Sequence, residues 1–273
     1  MRKDKTAALN NRILELETQI ERIKNENKRF TEIFVSNISH EIRTPLNAII
    51  GFSGLLRSRE IPFKKKEQFV MHISDSTERL LFLIDNVMEL SLIQSDNMNL
   101  NVDKCNLSEI IQNTYYYANH LKSKYNKHGI ILICDYAELD EIDDLYTDEF
   151  KVLLIMRNLI NNAIKYTANG YIEFGCKIKN DMLEFFIKDT GYGMNPESKS
   201  AFDSFNKNNN DYLKESDGLG IGLSVCQGVI KNLGGKIWFD NNTPKGTVFY
   251  FTVPFLRSNT TTNNSKKASV CVS

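Results

Sequence analysis

Leu9, Ile13, Leu16, Ile20, Ile23, Asn27, Phe30 and Phe34 follow one another at alternating steps of four and three, with charged residues between them. A seam of that period suits a helix that winds around another helix. It predicts a parallel coiled coil that feeds one helix from each of two chains into a bundle. Asn27 sits in the seam, where a buried polar residue sets register and oligomeric state at a cost in stability. An amphipathic helix folded back on its own domain would show the same spacing. The coiled coil is favoured because the period runs unbroken toward residue 40.

The first helix is expected to continue to about Leu56, and Ile61-Pro62-Phe63 then ends it, because proline cannot extend the hydrogen-bond ladder. A second helix is expected from about Lys64, with Phe69, Ile73, Ser76, Leu80, Leu83, Val87 and Leu90 again at steps of four and three. Two long helices with a short connection make an antiparallel hairpin. A hairpin with a wide apolar face buries it best against a copy of itself, which predicts a homodimer with a four-helix bundle. The pattern stops at Ser95-Asp96-Asn97-Met98-Asn99, and the domain boundary is placed there. The limits are then 1–33 for a lead-in coiled coil, 34–97 for the hairpin domain and 98–256 for a second domain.

That second domain alternates short strands with helices. Helices are expected at Leu107–Lys124, Asp148–Tyr166 and Gly218–Leu233, and strands at Gly129–Cys134, Gly170–Lys179, Met182–Asp189, Lys236–Asp240 and Thr247–Pro254. The order points to one sheet with helices on one face, an α/β sandwich. Asn195 to Asp217 is polar and longer than most ordered loops, a candidate lid. From residue 257 to the end the chain is rich in Ser, Thr and Asn and is expected to be disordered.

Lysine plus arginine and aspartate plus glutamate both number 34, so no net field calls for nucleic acid or an anionic membrane. Five scattered cysteines lack metal-site or disulfide spacing, which fits reduced thiols in a cytoplasm. No run approaches the ~20 apolar residues that span a bilayer. Any part that senses a signal across a membrane is therefore expected to lie outside this sequence.

Chemistry concentrates first at Ser39-His40-Glu41-Ile42-Arg43-Thr44-Pro45-Leu46. On a helix His40 and Thr44 share a side, and Glu41 projects about 100° round from His40. Imidazole attacks through a nitrogen without a proton, and a carboxylate on the other nitrogen's proton sets the tautomer and offsets the developing charge. Thr44 is placed to hold a water near the same point. Pro45 is expected to kink the helix just past His40. A lone helical histidine is more often structural than reactive, so the residues around it decide.

Asn158, Asn162 and Lys165 follow at steps of four and three and form one polar stripe on an otherwise apolar helix. An amide oxygen suits Mg²⁺, and a lysine one turn on neutralises phosphate charge. Asp189-Thr190-Gly191-Tyr192-Gly193 ends a strand, where an aspartate can accept a hydrogen bond from an exocyclic amine of the adenine type. By itself that turn is weak, since strand ends often use Asp and Gly. Gly218, Gly220 and Gly222 open a helix and let backbone N–H groups approach phosphates at its positive end.

Together, Phe34-Val35-Ser36-Asn37-Ile38-Ser39-His40-Glu41-Ile42-Arg43-Thr44-Pro45-Leu46 resembles the phosphoacceptor box of two-component sensor histidine kinases. Arg157 to Thr167 resembles the N box of that family's ATP domain, Asp189 to Met194 its G1 box and Asp217 to Leu223 its G2 box. Phe202-Asp203-Ser204-Phe205 resembles the F box, and Gly246-Thr247-Val248-Phe249 the closing Gly-Thr turn. The resemblance covers roughly residues 30 to 255. It implies ATP and Mg²⁺ as cofactors, a homodimer, and a response-regulator receiver domain as partner.

It also implies residue roles: His40 phosphorylated, Glu41 its general base, and Thr44 a contributor to phosphatase action. Asn162 would be the Mg²⁺ ligand, Asn158 and Lys165 phosphate contacts, and Tyr166 a neighbour of the nucleoside. Asp189 would read adenine within the turn of Gly191 and Gly193. Gly218, Gly220 and Gly222 would lie at the phosphates. The sequence departs from the family at Leu219, where a small hydroxyl residue is common, and at Lys207, where an arginine often approaches the terminal phosphate. Lysine keeps the charge and loses the fork, which predicts slower turnover. One rival reading is a degenerate kinase that binds nucleotide and acts mainly as a phosphatase or scaffold. The other is an ATPase clamp, disfavoured because Asn158 stands where such enzymes carry a water-activating carboxylate.

Overall fold

The computed structural model describes residues 2–57, 61–95, 98–135, 145–179, 182–194, 202, 220–242 and 244–257. Helices α1 (Arg2–Leu56) and α2 (Phe63–Gln94) form the expected hairpin. Lys65 and Lys66 both donate their backbone N–H to the carbonyl of Pro62, so proline at the entry of α2 starts that helix as readily as it stops the first. Phe52 on α1 packs against α2 through Phe69, with ring centroids 5.4 Å apart, and stacks on His72 at 4.8 Å. On α2 the seam residues Leu83 and Leu90 are buried and Phe69, Ile73, Leu80 and Val87 half-buried. In the lead-in segment Leu16 and Ile20 are exposed in the single chain. The side chains of Leu9, Ile13, Ile23, Asn27, Phe30 and Phe34 lie outside the described residues. Helix α1 continues through Pro45 to Leu56, so the proline does not divide it.

The chain divides into two compact units, with the division between Ser91 and Leu92. The second unit holds strand β1 (Asp103–Cys105), α3 (Leu107–Lys124), β2 (Ile130–Asp135), β3 (Leu145–Thr147), α4 (Glu149–Tyr166), β4 (Gly170–Lys179), β5 (Met182–Asp189), most of α5 (Gly222–Asn232), β6 (Ile237–Asn241), β7 (Thr247–Pro254) and β8 (Leu256–Arg257). Five strands form one sheet in the order β2-β4-β5-β7-β6, with β2 and β4 parallel and the other pairs antiparallel.

One face of that sheet is core. Ile172, Phe174 and Cys176 of β4, Leu183, Phe185 and Ile187 of β5, and Phe249, Phe251 and Val253 of β7 are buried in register. Phe185 and Phe251 stack at 4.7 Å. Each of these aliphatic and phenylalanine side chains contributes about 1.5–3 kcal/mol when buried. Helix α3 packs along α4 and against β2, α4 packs against β5, and Cys226 of α5 directs its thiol to the Ile155 carbonyl of α4. The opposite face keeps Ile131 and Ile133 exposed and carries the ion pair Lys188–Glu173.

Two points differ from the expected elements. Strands β1, β3 and β8 form a separate three-stranded antiparallel sheet, in the order β1-β3-β8. Strands of three and two residues are too short to carry a period of two, which is why the sequence does not announce them. Helix α5 starts at Gly222 rather than Gly218, since Gly220 has φ 70°, outside helical space. The expected lid at Asn195–Asp217, apart from Phe202, and the tail beyond Arg257 lie outside the described residues. Phe202 of the F box packs near Phe239 of β6, with centroids 6.2 Å apart.

Candidate functional site

Helix α4 starts at Asp148, whose carboxylate accepts from Lys151 N–H at 3.0 Å and from Asn101 N–H at 2.9 Å. The cap sets the phase of the helix, and that phase places the asparagine stripe. Asn158 is buried and donates to the Leu154 carbonyl at 3.0 Å; Asn161 donates to the Tyr117 hydroxyl at 2.6 Å. Asn162 is half-buried, and its amide makes no hydrogen bond among the described residues. Its amide oxygen is open to a ligand, which fits the donor set of a hard cation. Lys165 is half-buried, its ammonium 5.2 Å from the centroid of the Tyr166 ring.

The carbonyl of Tyr166 accepts from Tyr192 N–H at 3.3 Å, which draws the end of α4 to the turn after β5. Asp189 lies at that strand end, 5% exposed. Its Oδ1 accepts from Gly191 N–H at 2.8 Å and Thr247 N–H at 3.3 Å, and no bond to Oδ2 is made among the described residues. Burial pushes the Asp189 carboxyl above the usual carboxylate range, and the two N–H donors pull it back in part. An acceptor oxygen in such a buried place recognises an N–H donor of a flat ligand strongly, because water no longer competes.

Glycine is required twice around this carboxylate. A Cβ on Gly191 would meet the Tyr166 carbonyl, and one on Gly246 (φ 117°) would run into the backbone of Asp189. Gly193 (φ 79°) lies against Gly246. Asn242, which the sequence reading overlooked, donates from its side chain to the Asp189 carbonyl at 2.7 Å and from its backbone to the Gly246 carbonyl at 3.0 Å. Its place in the Asn241-Asn242-Thr243-Pro244 turn was the available signal. Thr190 completes the frame, its hydroxyl accepting from Tyr171 N–H at 2.9 Å.

The structure thus brings Asn158, Asn162, Lys165, Tyr166, Asp189, Gly191 and Gly193 onto one unit. Gly220 is exposed and Gly222 begins α5. Lys207 and Gly218 lie outside the described residues, as do Asp203 to Phe205 of the F box.

In the hairpin His40 is exposed on α1, and its imidazole makes no hydrogen bond or ion pair among the described residues. Thr44 donates its hydroxyl to the His40 carbonyl at 3.3 Å. The Glu41 carboxylate makes no hydrogen bond or ion pair with the His40 imidazole; its Oε2 accepts from Arg79 Nη2 of α2 at 3.0 Å. Arg79 is a second residue that sequence reasoning missed, since the facing register of the hairpin had to be known first. The remaining histidines, His72, His120 and His128, are exposed.

A helical hairpin with an open histidine, joined to a sheet domain that carries a buried strand-end aspartate and a helix with a polar stripe, defines the catalytic core of a two-component histidine kinase, and the chain belongs to that family. Two family models match it: the His Kinase A phospho-acceptor domain over residues 30–96, and the histidine kinase-, DNA gyrase B-, and HSP90-like ATPase over residues 147–257. The sensor histidine kinase GacS of Pseudomonas protegens is 29% identical over 237 residues, covering 84% of this chain and 25% of its own length. RcsC of Salmonella typhimurium is 30% identical over 223 residues, covering 81% of this chain and 23% of its own. The chain therefore spans about a quarter of the length of the curated relatives it matches.

Among solved structures, full-length ShkA in complex with AMPPNP superposes with a TM-score of 0.58 at 20% identity, covering 82% of this chain and 46% of its own. The Acinetobacter baumannii histidine kinase AdeS gives 0.54 at 20% identity, covering 79% of this chain and 97% of its own. Both share the fold. Among the described residues no helix is long and apolar enough to cross a membrane.

Proposed function

We propose that this chain phosphorylates itself on His40 from Mg-ATP and passes the phosphoryl group to an aspartate of a response-regulator receiver domain, as a cytoplasmic homodimer. The observation that carries the reading is the exposed His40 imidazole, unengaged among the described residues, on a hairpin joined to a family-typical ATP-binding domain. One ring nitrogen attacks the terminal phosphorus in line as the bridging oxygen departs with ADP, and Glu41 takes the proton of the other nitrogen. Thr44 orients a water for hydrolysis of the partner's phosphate.

In the ATP domain Asp189 accepts the adenine amine through Oδ2, within the turn made by Gly191 and Gly193. Tyr166 lines the nucleoside, and Asn158 and Lys165 contact phosphate. Asn162 holds Mg²⁺, which when bound neutralises phosphate charge. Lys207 approaches the terminal phosphate, and the backbone at Gly218, Gly220 and Gly222 cradles the others. The functional limits are 34–97 for the phosphoacceptor domain and 98–256 for the ATP domain.

Dimerisation is supported by a second apolar stripe. Leu81, Ile84 and Met88 of α2 and Leu46 and Ile50 of α1 stay exposed in the single chain. A copy of the same hairpin would cover them.

The test is incubation with labelled ATP and Mg²⁺, comparing the parent with His40→Gln and Asn162→Asp. Acid-labile label is expected on the parent, none on His40→Gln, and at least about tenfold less on Asn162→Asp. Label that persists without the imidazole sinks the reading.

A further inference from the structure

Glu41 and Arg79 join the two helices of the hairpin. Arg79 Nη2 lies 3.0 Å from Glu41 Oε2, and the two side chains are 31% and 12% exposed. Partial burial matters here, because a charge-assisted bond withdrawn from water is screened less than one on an open surface. His40, the residue just before Glu41, is exposed, and its imidazole has no hydrogen bond or ion pair among the described residues. Neighbours on a helix project about 100° apart. The carboxylate therefore has to swing around its own helix, away from Arg79, before it can meet the imidazole.

We propose that Arg79 is a positioning residue that latches Glu41 away from His40, so that phosphoryl transfer requires the carboxylate to exchange a guanidinium partner for the imidazole N–H. The proposal rests on the reading of His40 as nucleophile and Glu41 as base. In the transfer step a lone pair of one ring nitrogen forms the N–P bond. The bond from the terminal phosphorus to the bridging oxygen breaks, and its electron pair leaves on ADP. The proton of the second ring nitrogen moves to the Glu41 carboxylate. A carboxylate that already accepts from a guanidinium holds a further proton poorly, so the latched state is slow. Because the pair ties α1 to α2, a slide or rotation of one helix against the other breaks it.

The experiment measures initial rates of His40 phosphorylation on the full chain with Mg-ATP over a range of nucleotide concentration. Arg79→Gln is expected to raise kcat by about threefold or more and to leave KM for ATP within about twofold of the parent, since Arg79 acts on the base and not on nucleotide binding. Arg79→Lys keeps the charge and one donor, and is expected to stay near the parent. In a Glu41→Gln background, Arg79→Gln is expected to change nothing.

An unchanged or lower kcat in Arg79→Gln overturns the latch, as does an equal gain in Arg79→Lys. Should Arg79→Gln melt well below the parent, Arg79→Met, which keeps the packing of the stem, takes its place under the same criteria. If Glu41→Gln alone costs no rate, the reading of Glu41 as base falls together with the latch. If it costs rate while Arg79→Gln brings no gain, only the latch falls.

Discussion

At Asp189 burial and recognition pull in opposite directions. The carboxyl is raised by desolvation, and the N–H groups of Gly191 and Thr247 offset part of that cost. Between the usual carboxylate pKa and the raised value, the folded chain holds a proton that the unfolded chain has released. This group therefore makes stability fall as pH rises through that window. Asp189→Asn keeps the volume and an acceptor for both N–H groups and removes the buried charge. Thermal denaturation near pH 7 is expected to show a melting temperature no lower than the parent's. Calorimetric titration with ADP is expected to show at least about tenfold weaker binding, because an amide turned to serve the two N–H groups presents its own NH₂ to the adenine amine. Unchanged affinity would mean that another group reads the base. His40 and Asp189 were both singled out by their motifs. Arg79 and Asn242 were not, because each acts on a residue dozens of positions away.

Among the elements, α4 was the most legible. Its limits follow from the capping aspartate at one end and Thr167 at the other, where the Thr167 N–H still reaches the Ala163 carbonyl. Asp148 does two jobs, capping α4 and holding the chain at Asn101. Asp148→Ala strips both bonds from a buried site and is expected to cost ~1–3 kcal/mol in urea denaturation. A change below a few tenths would show that water replaces the cap. Strands β4, β5 and β7 were equally readable, since each is long enough to alternate core and outer residues. The small sheet of β1, β3 and β8 was invisible for the opposite reason, as its strands are defined only by their partners.

For the whole molecule, the proposed homodimer rests on the exposed stripe of the hairpin. Ile84 is 39% exposed in the single chain and lies on the face that a second copy would cover. Ile84→Glu would place an unpaired carboxylate in that interface on both copies, a cost of several kcal/mol set against the ~1.5–3 kcal/mol that each buried isoleucine contributes. Sedimentation is expected to show a dimer for the parent and a monomer for the variant, with ADP affinity unchanged. A variant that remains dimeric would move the interface to the lead-in helix.

Sequence alone determined the hairpin and the mixed sheet domain, and it singled out the groups proposed to react. Helical period, strand alternation and the chemistry of imidazole, amide and carboxylate are properties of residues and their near neighbours. Tertiary structure decided the strand order β2-β4-β5-β7-β6, the closeness of Gly246 to Asp189, and the partner that Glu41 holds. Those depend on which distant surfaces pack together. Glu41 takes the guanidinium of Arg79, which the packing of the second helix brings to it.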